Sequence, residues 1–387
     1  MNRLTTSWGA YELARFPEDP RDTLRAWDAA DEYLLRHLHG VDDAPPTDLS
    51  GAVTVVGDRW GALVTSLAAH TAGPVTQISD SFLGRQATLG NLARNGLEPD
   101  SVRLLDARQD PPERVDVLLV RVPKSLALLE DQLHRLAPAV HEDTVVVGTG
   151  MVTEIHTSTL KLFERILGPT RTSLAVKKAR LIFCTPDPAV PRTVSPWPLR
   201  YALPSDTGVL AGRPVTNHAG IFCAERLDIG TRFLLRHLPL REGRERVVDL
   251  GCGNGVVGTA AALANPDAVV TFTDESYSAV ASAKATFGEN LPSGTAEFLV
   301  GDGLSGLEDG SVDLVLNNPP FHSHRATTDA AARRMFADAR RALRPGGELW
   351  VVGNRHLGYH VRLKRLFGNC EVVASDPKFV VLKAVRR

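Results

Sequence analysis

Asn318-Pro319-Pro320-Phe321 is the segment of this chain best suited to chemistry. Two consecutive prolines fix φ and stop a strand, leaving a rigid ledge at a sheet's carboxyl edge. An asparagine side-chain carbonyl beside a backbone carbonyl offers two acceptors to one exocyclic NH2 group. An aryl ring next door can stack on a flat heterocycle. This set suits methyl transfer to a conjugated amine. Such a nitrogen has a delocalised lone pair and is a poor nucleophile. A protein can help it by alignment and by stabilising the positive charge that builds on nitrogen. The bland alternative is a proline-terminated turn.

A second constellation lies upstream, Asp249-Leu250-Gly251-Cys252-Gly253-Asn254-Gly255. Gly251, Gly253 and Gly255 let the backbone turn tightly and approach a ligand. In open α/β sheets ligands bind outside the carboxyl ends of the strands. The loop alone would serve NAD, a phosphate or S-adenosylmethionine. Asp274 closes the next strand, about 20 residues on, where a carboxylate can accept both ribose hydroxyls of an adenosine. NAD shares that feature. Asp302 follows the third strand and is placed to take an adenine amine. Asp249 would be costly beside a pyrophosphate but favourable beside an ammonium. The set therefore points to S-adenosylmethionine, with Asp249 at its amino-acid end. Cys252 reads as a small filler residue rather than a nucleophile.

The elements that must carry these residues repeat along the chain. In the second half the strand-like runs are Arg246–Leu250, a run ending at Asp274, Ala296–Val300, Val312–Leu316 and Glu348–Gly353. The first half has Val53–Val56, a run ending at Asp80, Val102–Asp106, Val117–Val120 and Thr144–Gly148. Asp80 to Asp274 is an offset of 194, Leu118 to Leu314 of 196, and Gly148 to Gly353 of 205. Strands alternating with helical stretches imply a parallel, doubly wound α/β sheet in each half. A proline-rich stretch from Pro186 to Pro204 reads as the linker, which places the domains at 1–195 and 196–387. The first copy departs from the chemistry. Arg59 and Trp60 stand in its glycine loop, and Pro123-Lys124 takes the place of the tetrapeptide, so this domain is expected to be degenerate and non-catalytic.

The 387 residues are 43% hydrophobic and 23% charged, as in a globular protein with a full core. No run of about 18 apolar residues is present, and a cytoplasmic, monomeric protein is expected, with no membrane association. The four cysteines are widely and irregularly spaced, so neither a metal site nor a disulfide framework is expected. The net charge of −1 hides an asymmetry. Residues 1–150 carry 14 Lys+Arg against 22 Asp+Glu, whereas residues 320–387 carry 14 against 5. Basic charge beside a candidate active site suggests a polyanionic substrate. Against this, Arg333, Arg334, Arg340, Arg341 and Arg344 sit at the spacing of a solvated helix face.

Asp249 to Gly255, the Asn-Pro-Pro-Phe tetrapeptide, Leu227 to Leu235 and the tail from Phe367 to Lys383 together resemble the duplicated ribosomal RNA guanine-N2 methyltransferases. Asn354 to Tyr359 and Val122 to Glu130 look like the branch acting on the large subunit. The resemblance implies two class I methyltransferase folds. It implies methylation of a guanine N2 in 23S ribosomal RNA, with Asn318 and Pro319 holding the amine and Phe321 stacking on the base. It puts Asp228 near the methionine end of the cofactor. In the first domain it leaves folding support or RNA recognition, the latter through a local basic face such as Lys177-Lys178-Ala179-Arg180. Competing expectations are a 16S guanine-N2 enzyme, an adenine-N6 or glutamine-N5 methyltransferase, and a non-catalytic RNA-binding assembly factor.

Overall fold

The computed structural model describes residues 2–19, 22–40, 45–320 and 325–387. The chain divides into two compact units, Met1–Pro196 and Trp197–Arg387. Each unit is built on one seven-stranded sheet. In the first, the strands are β1 (Val53–Val56), β2 (Val75–Ser79), β3 (Val102–Asp106), β4 (Val115–Arg121), β5 (Val140–Met151), β6 (Thr170–Thr172) and β7 (Ala179–Cys184). In the second they are β8 (Arg246–Leu250), β9 (Val269–Asp274), β10 (Ala296–Val300), β11 (Val312–Asn317), β12 (Leu343–Asn354), β13 (Glu371–Ser375) and β14 (Phe379–Val385). The spatial order is β3-β2-β1-β4-β5-β7-β6 in one and β10-β9-β8-β11-β12-β14-β13 in the other, the same permutation twice.

Five strands of each sheet run parallel. β14 and β7 run antiparallel to both of their neighbours, which the all-parallel expectation missed. Chain length explains it. Only Asp376, Pro377 and Lys378 join β13 to β14, whereas a parallel crossover needs about a dozen residues.

The central strands are buried on both faces, which is why they are runs of β-branched residues rather than alternating ones. Val247 and Leu314 point to one side and pack with Phe272. Val248, Leu250 and Val315 point to the other, with Phe336. Helix α1 (Ala29–His39) precedes the first sheet and α2 (Ile229–Leu235) the second; α3 (Val256–Ala264), α4 (Tyr277–Asn290) and α5 (Arg325–Ala342) follow in the second unit. The nearly all-apolar α3, VVGTAAALA, is buried accordingly. Among the described residues no helix is long and apolar enough to cross a membrane.

Strand pairing corrects the offsets read from the sequence. Gly57 donates its N–H to the Ile78 carbonyl and Gly251 donates its own to that of Thr273. Ser79, not Asp80, is therefore the counterpart of Asp274. Val56 pairs with Val120, and Leu250 with Asn317. Arg121 thus occupies the place of Asn318. Val120 pairs with Gly148 and Asn317 with Val351, so Gly148 matches Val351 rather than Gly353. The register also slips at the same rung of both sheets, between Val115 and Val117 and between Val312 and Leu314. The run read as Glu348–Gly353 already begins at Leu343, and Arg344-Pro345-Gly346-Gly347 forms the bulge of that strand.

Candidate active site

The glycine loop hangs between the end of β8 and the start of α3. Gly251, Gly253 and Gly255 all lie in the left-handed region, with φ of 70°, 53° and 76°. Two of the three are packed. A Cβ on Gly255 would stand 2.7 Å from the Ala283 Cα, and one on Gly251 would stand 3.1 Å from the Met335 methyl. A Cβ on Gly253 would meet nothing within 4 Å. The middle glycine is thus the one that borders open space, as a ligand-facing backbone requires.

Asp274 sits at the carboxyl end of β9, where its Oδ2 accepts from the Gly253 N–H at 3.0 Å and its Oδ1 from the Ser276 N–H at 3.0 Å. The carboxylate therefore also shapes the loop. Each oxygen keeps a second lone pair for a ligand hydroxyl. Burial holds its pKa above the ordinary carboxylate value. Asp249 is buried in β8, and its Oδ2 accepts the Gly258 N–H at 2.8 Å. Burial, with Asp274 adding repulsion, pushes it up to about 8. A cation beside it would reverse that shift. Asp302 lies half-buried just past β10. Asp338 of α5, not anticipated from the sequence, reaches the same corner. Its carboxyl is raised by burial and by Asp302, and its Oδ2 would stand 2.8 Å from a Cβ on Gly303. Cys252 is buried, and burial first, then Asp274 and Asp249, pushes its thiol well above the usual range. That setting suits the small filler residue read from the sequence.

At the end of β11, Asn317 is fully buried, and its Nδ2 donates to the Leu250 carbonyl at 2.7 Å. It ties the strand to the start of the glycine loop. Asn318 comes next. Its Nδ2 donates to Thr231 Oγ1 at 2.8 Å and to Asp228 Oδ2 at 3.3 Å. With the amide nitrogen so held, the orientation of Oδ1 follows. That oxygen is buried and has no hydrogen-bond partner among the described residues. A buried acceptor left unsatisfied costs about 1–3 kcal/mol, so it marks a place where a donor is missing. Pro319 is buried and Pro320 exposed. Phe321, assigned to base stacking, lies outside the described residues.

Asp228 is the N-cap of α2, and its carboxylate accepts from the Thr231 N–H at 2.8 Å. One side chain thus both starts a helix and orients the Asn318 amide. Gly230 leaves room for this, since a Cβ there would lie 3.0 Å from Asp228 Oδ2 and 3.1 Å from the Phe379 ring. Thr231 went unassigned in the sequence, although Asp-x-x-Thr at a helix start is the spacing of a cap. The glycine loop is braced by Asn254, whose Nδ2 donates to Asn217 Oδ1 at 3.0 Å.

The basic tail is largely spent on structure. Arg341 in α5 donates to the carbonyls of Leu307 and Leu304 and pairs with Asp309. Arg344, which lies in β12 rather than on the helix, pairs with Asp313. Arg386 donates to the carbonyls of Arg341 and Leu343. Arg333, Arg334 and Arg340 are exposed on the helix.

Known proteins resemble both the parts and the whole. Residues 1–188 match the family model described as the RLMG N-terminal domain, and residues 212–383 that of the methyltransferase small domain. The ribosomal RNA large subunit methyltransferase G of Streptomyces griseus is 73% identical, covering 100% of both chains. The protein of the same name from Aeromonas salmonicida is 47% identical over 99% of each. A solved structure, the Thermus thermophilus 16S rRNA N2 G1207 methyltransferase RsmC in complex with AdoMet and guanosine, superposes with a TM-score of 0.76. It covers 100% of this chain and 98% of its own, at 21% identity, a likeness of fold. With full-length identity of this order on top of a doubled class I methyltransferase fold, the chain belongs to the ribosomal RNA large subunit methyltransferase G family.

Proposed function

We propose that this protein transfers a methyl group from S-adenosylmethionine to the exocyclic N2 of a guanine in 23S ribosomal RNA, using the single site at Asn318-Pro319-Pro320-Phe321. The observation that carries the reading is the Asn318 amide. Its nitrogen is anchored by Asp228 and Thr231, and its buried oxygen has no partner among the described residues. It stands at the strand end neighbouring the glycine loop. The choice of the large subunit is supported by relatives of that name across the full chain. The choice of guanine N2 is supported by the phenylalanine at the last place of the motif.

S-adenosylmethionine supplies a methyl already activated on a sulfonium sulfur. The loop of Gly251, Gly253 and Gly255 would hold it, with the open backbone at Gly253 lying against it; Asp274 would receive its ribose hydroxyls, Asp302 its adenine amine, and Asp249 its ammonium. Asn318 Oδ1 and the backbone carbonyl at the same ledge accept the two N–H bonds of the guanine amine, which turns its lone pair out of conjugation. As the N–C bond forms and the sulfonium S–CH3 bond breaks, leaving a neutral thioether, positive charge passes from sulfur to nitrogen. The Asn318 carbonyl is more negative because Asp228 draws on its amide N–H. The methylated amine then releases one proton to solvent. Guanine N2 is sequestered in a stack, so the base must be flipped or presented in unfolded RNA.

Mass mapping of 23S and 16S ribosomal RNA from cells with and without the gene tests the reading. One N2-methylguanine should vanish from 23S RNA, return with the wild-type protein, and stay absent with Asn318→Ala. Loss of a 16S guanine mark, of N6-methyladenosine or of methylglutamine instead would overturn it. Restoration by Asn318→Ala would reduce the protein to a non-catalytic assembly factor.

A further inference from the structure

Helix α5 is seated by an apolar stripe, Ala332, Phe336 and Ala339, all buried in the core on one side of the second sheet. That register puts Met335, Asp338 and Arg341, three residues apart and all half-buried, along one flank of the helix. The flank follows the carboxyl edge of the sheet, where the cofactor is assigned. Met335 meets the start of the glycine loop, its methyl 3.1 Å from where a Gly251 Cβ would stand. Asp338 meets the turn after β10, its Oδ2 2.8 Å from where a Gly303 Cβ would stand. Arg341 donates to the carbonyls of Leu304 and Leu307, so the same flank also holds that turn in place.

Asp338 stands next to Asp302, and neither carboxyl forms an ion pair among the described residues. Arg341, the cation best placed to pair with Asp338, is committed to Asp309 and the two carbonyls. Burial and then Asp302 hold the Asp338 pKa above the ordinary value, against the pull of Arg341 and of the Leu304 N–H. That N–H occupies one of roughly four lone-pair sites on the carboxylate and leaves the others open. The corner is fixed as well as acidic. Gly303, between the two acids, has the left-handed φ of 56°. Its carbonyl accepts Thr273 Oγ1 at 2.9 Å, and the Asp302 carbonyl accepts the Ser305 N–H at 3.0 Å. Two acceptors held side by side, both half open to solvent, suit a ligand group that carries two hydrogens. The 6-amino group of adenine has two diverging N–H bonds in the ring plane. A 6-oxo purine would set a carbonyl oxygen against both acids.

We propose that Asp338 is a second acceptor for the adenine amine of the cofactor, taking one N–H while Asp302 takes the other. The inference rests on the assignment of Asp302 to that amine and deepens it. Asp338 is then a specificity-determining residue, supplied by the helix that follows the tetrapeptide rather than by the strand ends that carry the other cofactor contacts. A site built to receive both hydrogens rejects a purine that lacks them, because its buried polar groups are left unpaired.

The test is calorimetry on the full-length protein with two ligands, S-adenosylhomocysteine and S-inosylhomocysteine. Asp338→Asn keeps the size of the side chain. Its oxygen can still take the Leu304 N–H, and its NH2 then faces the purine 6-position. Affinity for S-adenosylhomocysteine should fall roughly 10- to 100-fold, as for loss of a charge-assisted hydrogen bond, while affinity for S-inosylhomocysteine should hold or rise. The preference for adenine should shrink accordingly, with the melting temperature unchanged. An equal loss for both ligands, with the preference intact, would reduce Asp338 to a brace for Leu304 and overturn the proposal. The proposal also fails if EDTA weakens S-adenosylhomocysteine binding to the wild type and magnesium restores it, but neither acts on Asp338→Asn. The two acids would then hold a cation. Asp302→Asn separates the two layers of the argument. If it lowers the preference for adenine and Asp338→Asn does not, Asp338 alone is misassigned. If it leaves the preference intact, the adenine lies elsewhere, and the reading of Asp302 falls together with the inference built on it.

Discussion

Arg121 and Asn318 occupy the same place in two copies of one sheet, and each answers to a helix that begins on an aspartate. Asp28 caps α1 and its Oδ2 receives Arg121 Nη2 at 2.7 Å. Asp228 caps α2 and its Oδ2 receives Asn318 Nδ2 at 3.3 Å. Three residues on, Asp31 and Thr231 complete the two triads, at 3.4 Å from Arg121 and 2.8 Å from Asn318. The first unit then closes its site with charge. Glu154 Oε2 receives Arg121 Nη1 at 2.8 Å, and Arg59, standing where the second unit has Gly253, bridges Asp28 and Glu154. Gly57 and Gly61 keep the left-handed backbone of Gly251 and Gly255, but Arg59 does not keep that of Gly253. The polar groups at this strand end of the first unit are thus saturated internally, which is what a non-catalytic copy would require. The second unit instead leaves the amide oxygens of Asn318 and of the adjacent Asn317 buried without a partner among the described residues.

The comparison is broken most forcefully at Arg121, whose side chain is 0% exposed. Burial alone would lower its pKa, but Asp31, Asp28 and Glu154 outweigh that and raise it. Arg121→Met should cost about 3–5 kcal/mol in a urea titration, because three carboxylates lose their common cation. The equivalent truncation Asn318→Ala should be close to neutral in the same assay. Burial would raise Glu154, yet Arg121 and Arg59 pull it down to about 2. A depressed carboxylate stabilises above its unfolded value of about 4.5, and that stability is lost as pH falls toward 2. Arg121→Met should flatten this acid limb. A variant as stable as the wild type would mean that the ion cluster is incidental to the fold.

Asn318→Ala is the matching test of the second unit. Removing one oriented acceptor should lower kcat by roughly 10²- to 10³-fold while leaving S-adenosylmethionine affinity unchanged. Near-normal turnover would return the tetrapeptide to a plain proline-terminated turn.

The glycine loop and the tetrapeptide could be read directly because each is contiguous, and the doubling because its elements recur at nearly constant spacing. The exchange of Arg121 for Asn318 was hidden, since the apparent offsets were wrong by one or two residues and only pairing between strands sets the register. The Arg121 cluster draws on Asp28, Asp31, Arg59 and Glu154 from distant parts of the chain, and no local pattern announces it. Charge misled in the opposite direction. Arg341, Arg344 and Arg386 look like a substrate-facing tail in sequence but hold carbonyls and carboxylates of their own unit.

A smaller effect concerns pH. Val55 stands at the strand position of Asp249 in the first unit, where the buried Asp58, raised to about 6, takes the Val64 N–H instead. The folded pKa of Asp249, about 8, is raised above the unfolded value, so the ligand-free second unit should lose stability as pH rises from about 4 toward 8. An ammonium beside Asp249 would lower that pKa. At pH 7 cofactor binding should therefore release a proton, and affinity should climb up to about tenfold per pH unit until roughly pH 8. Calorimetry in buffers of different ionisation enthalpy measures the proton directly. An Asp249→Asn variant should show neither effect. A wild-type affinity independent of pH would remove Asp249 from the ammonium site.

The finest discrimination lies at Thr231. Its hydroxyl is the nearer of the two anchors on the Asn318 amide, and Asp228 holds the nitrogen from the longer distance. Thr231→Val keeps the shape, and the backbone N–H that caps on Asp228 remains. What is lost is one neutral hydrogen bond worth about 1 kcal/mol, so kcat should fall around fivefold with KM for RNA nearly unchanged. Thr231→Ser should recover the rate, which a purely structural defect would not predict. If Thr231→Val turns over like the wild type, Asp228 alone orients the amide. The parallel between Thr231 and Asp31 would then be one of position only, and the difference between the two units would narrow to the exchange of asparagine for arginine at a single strand end.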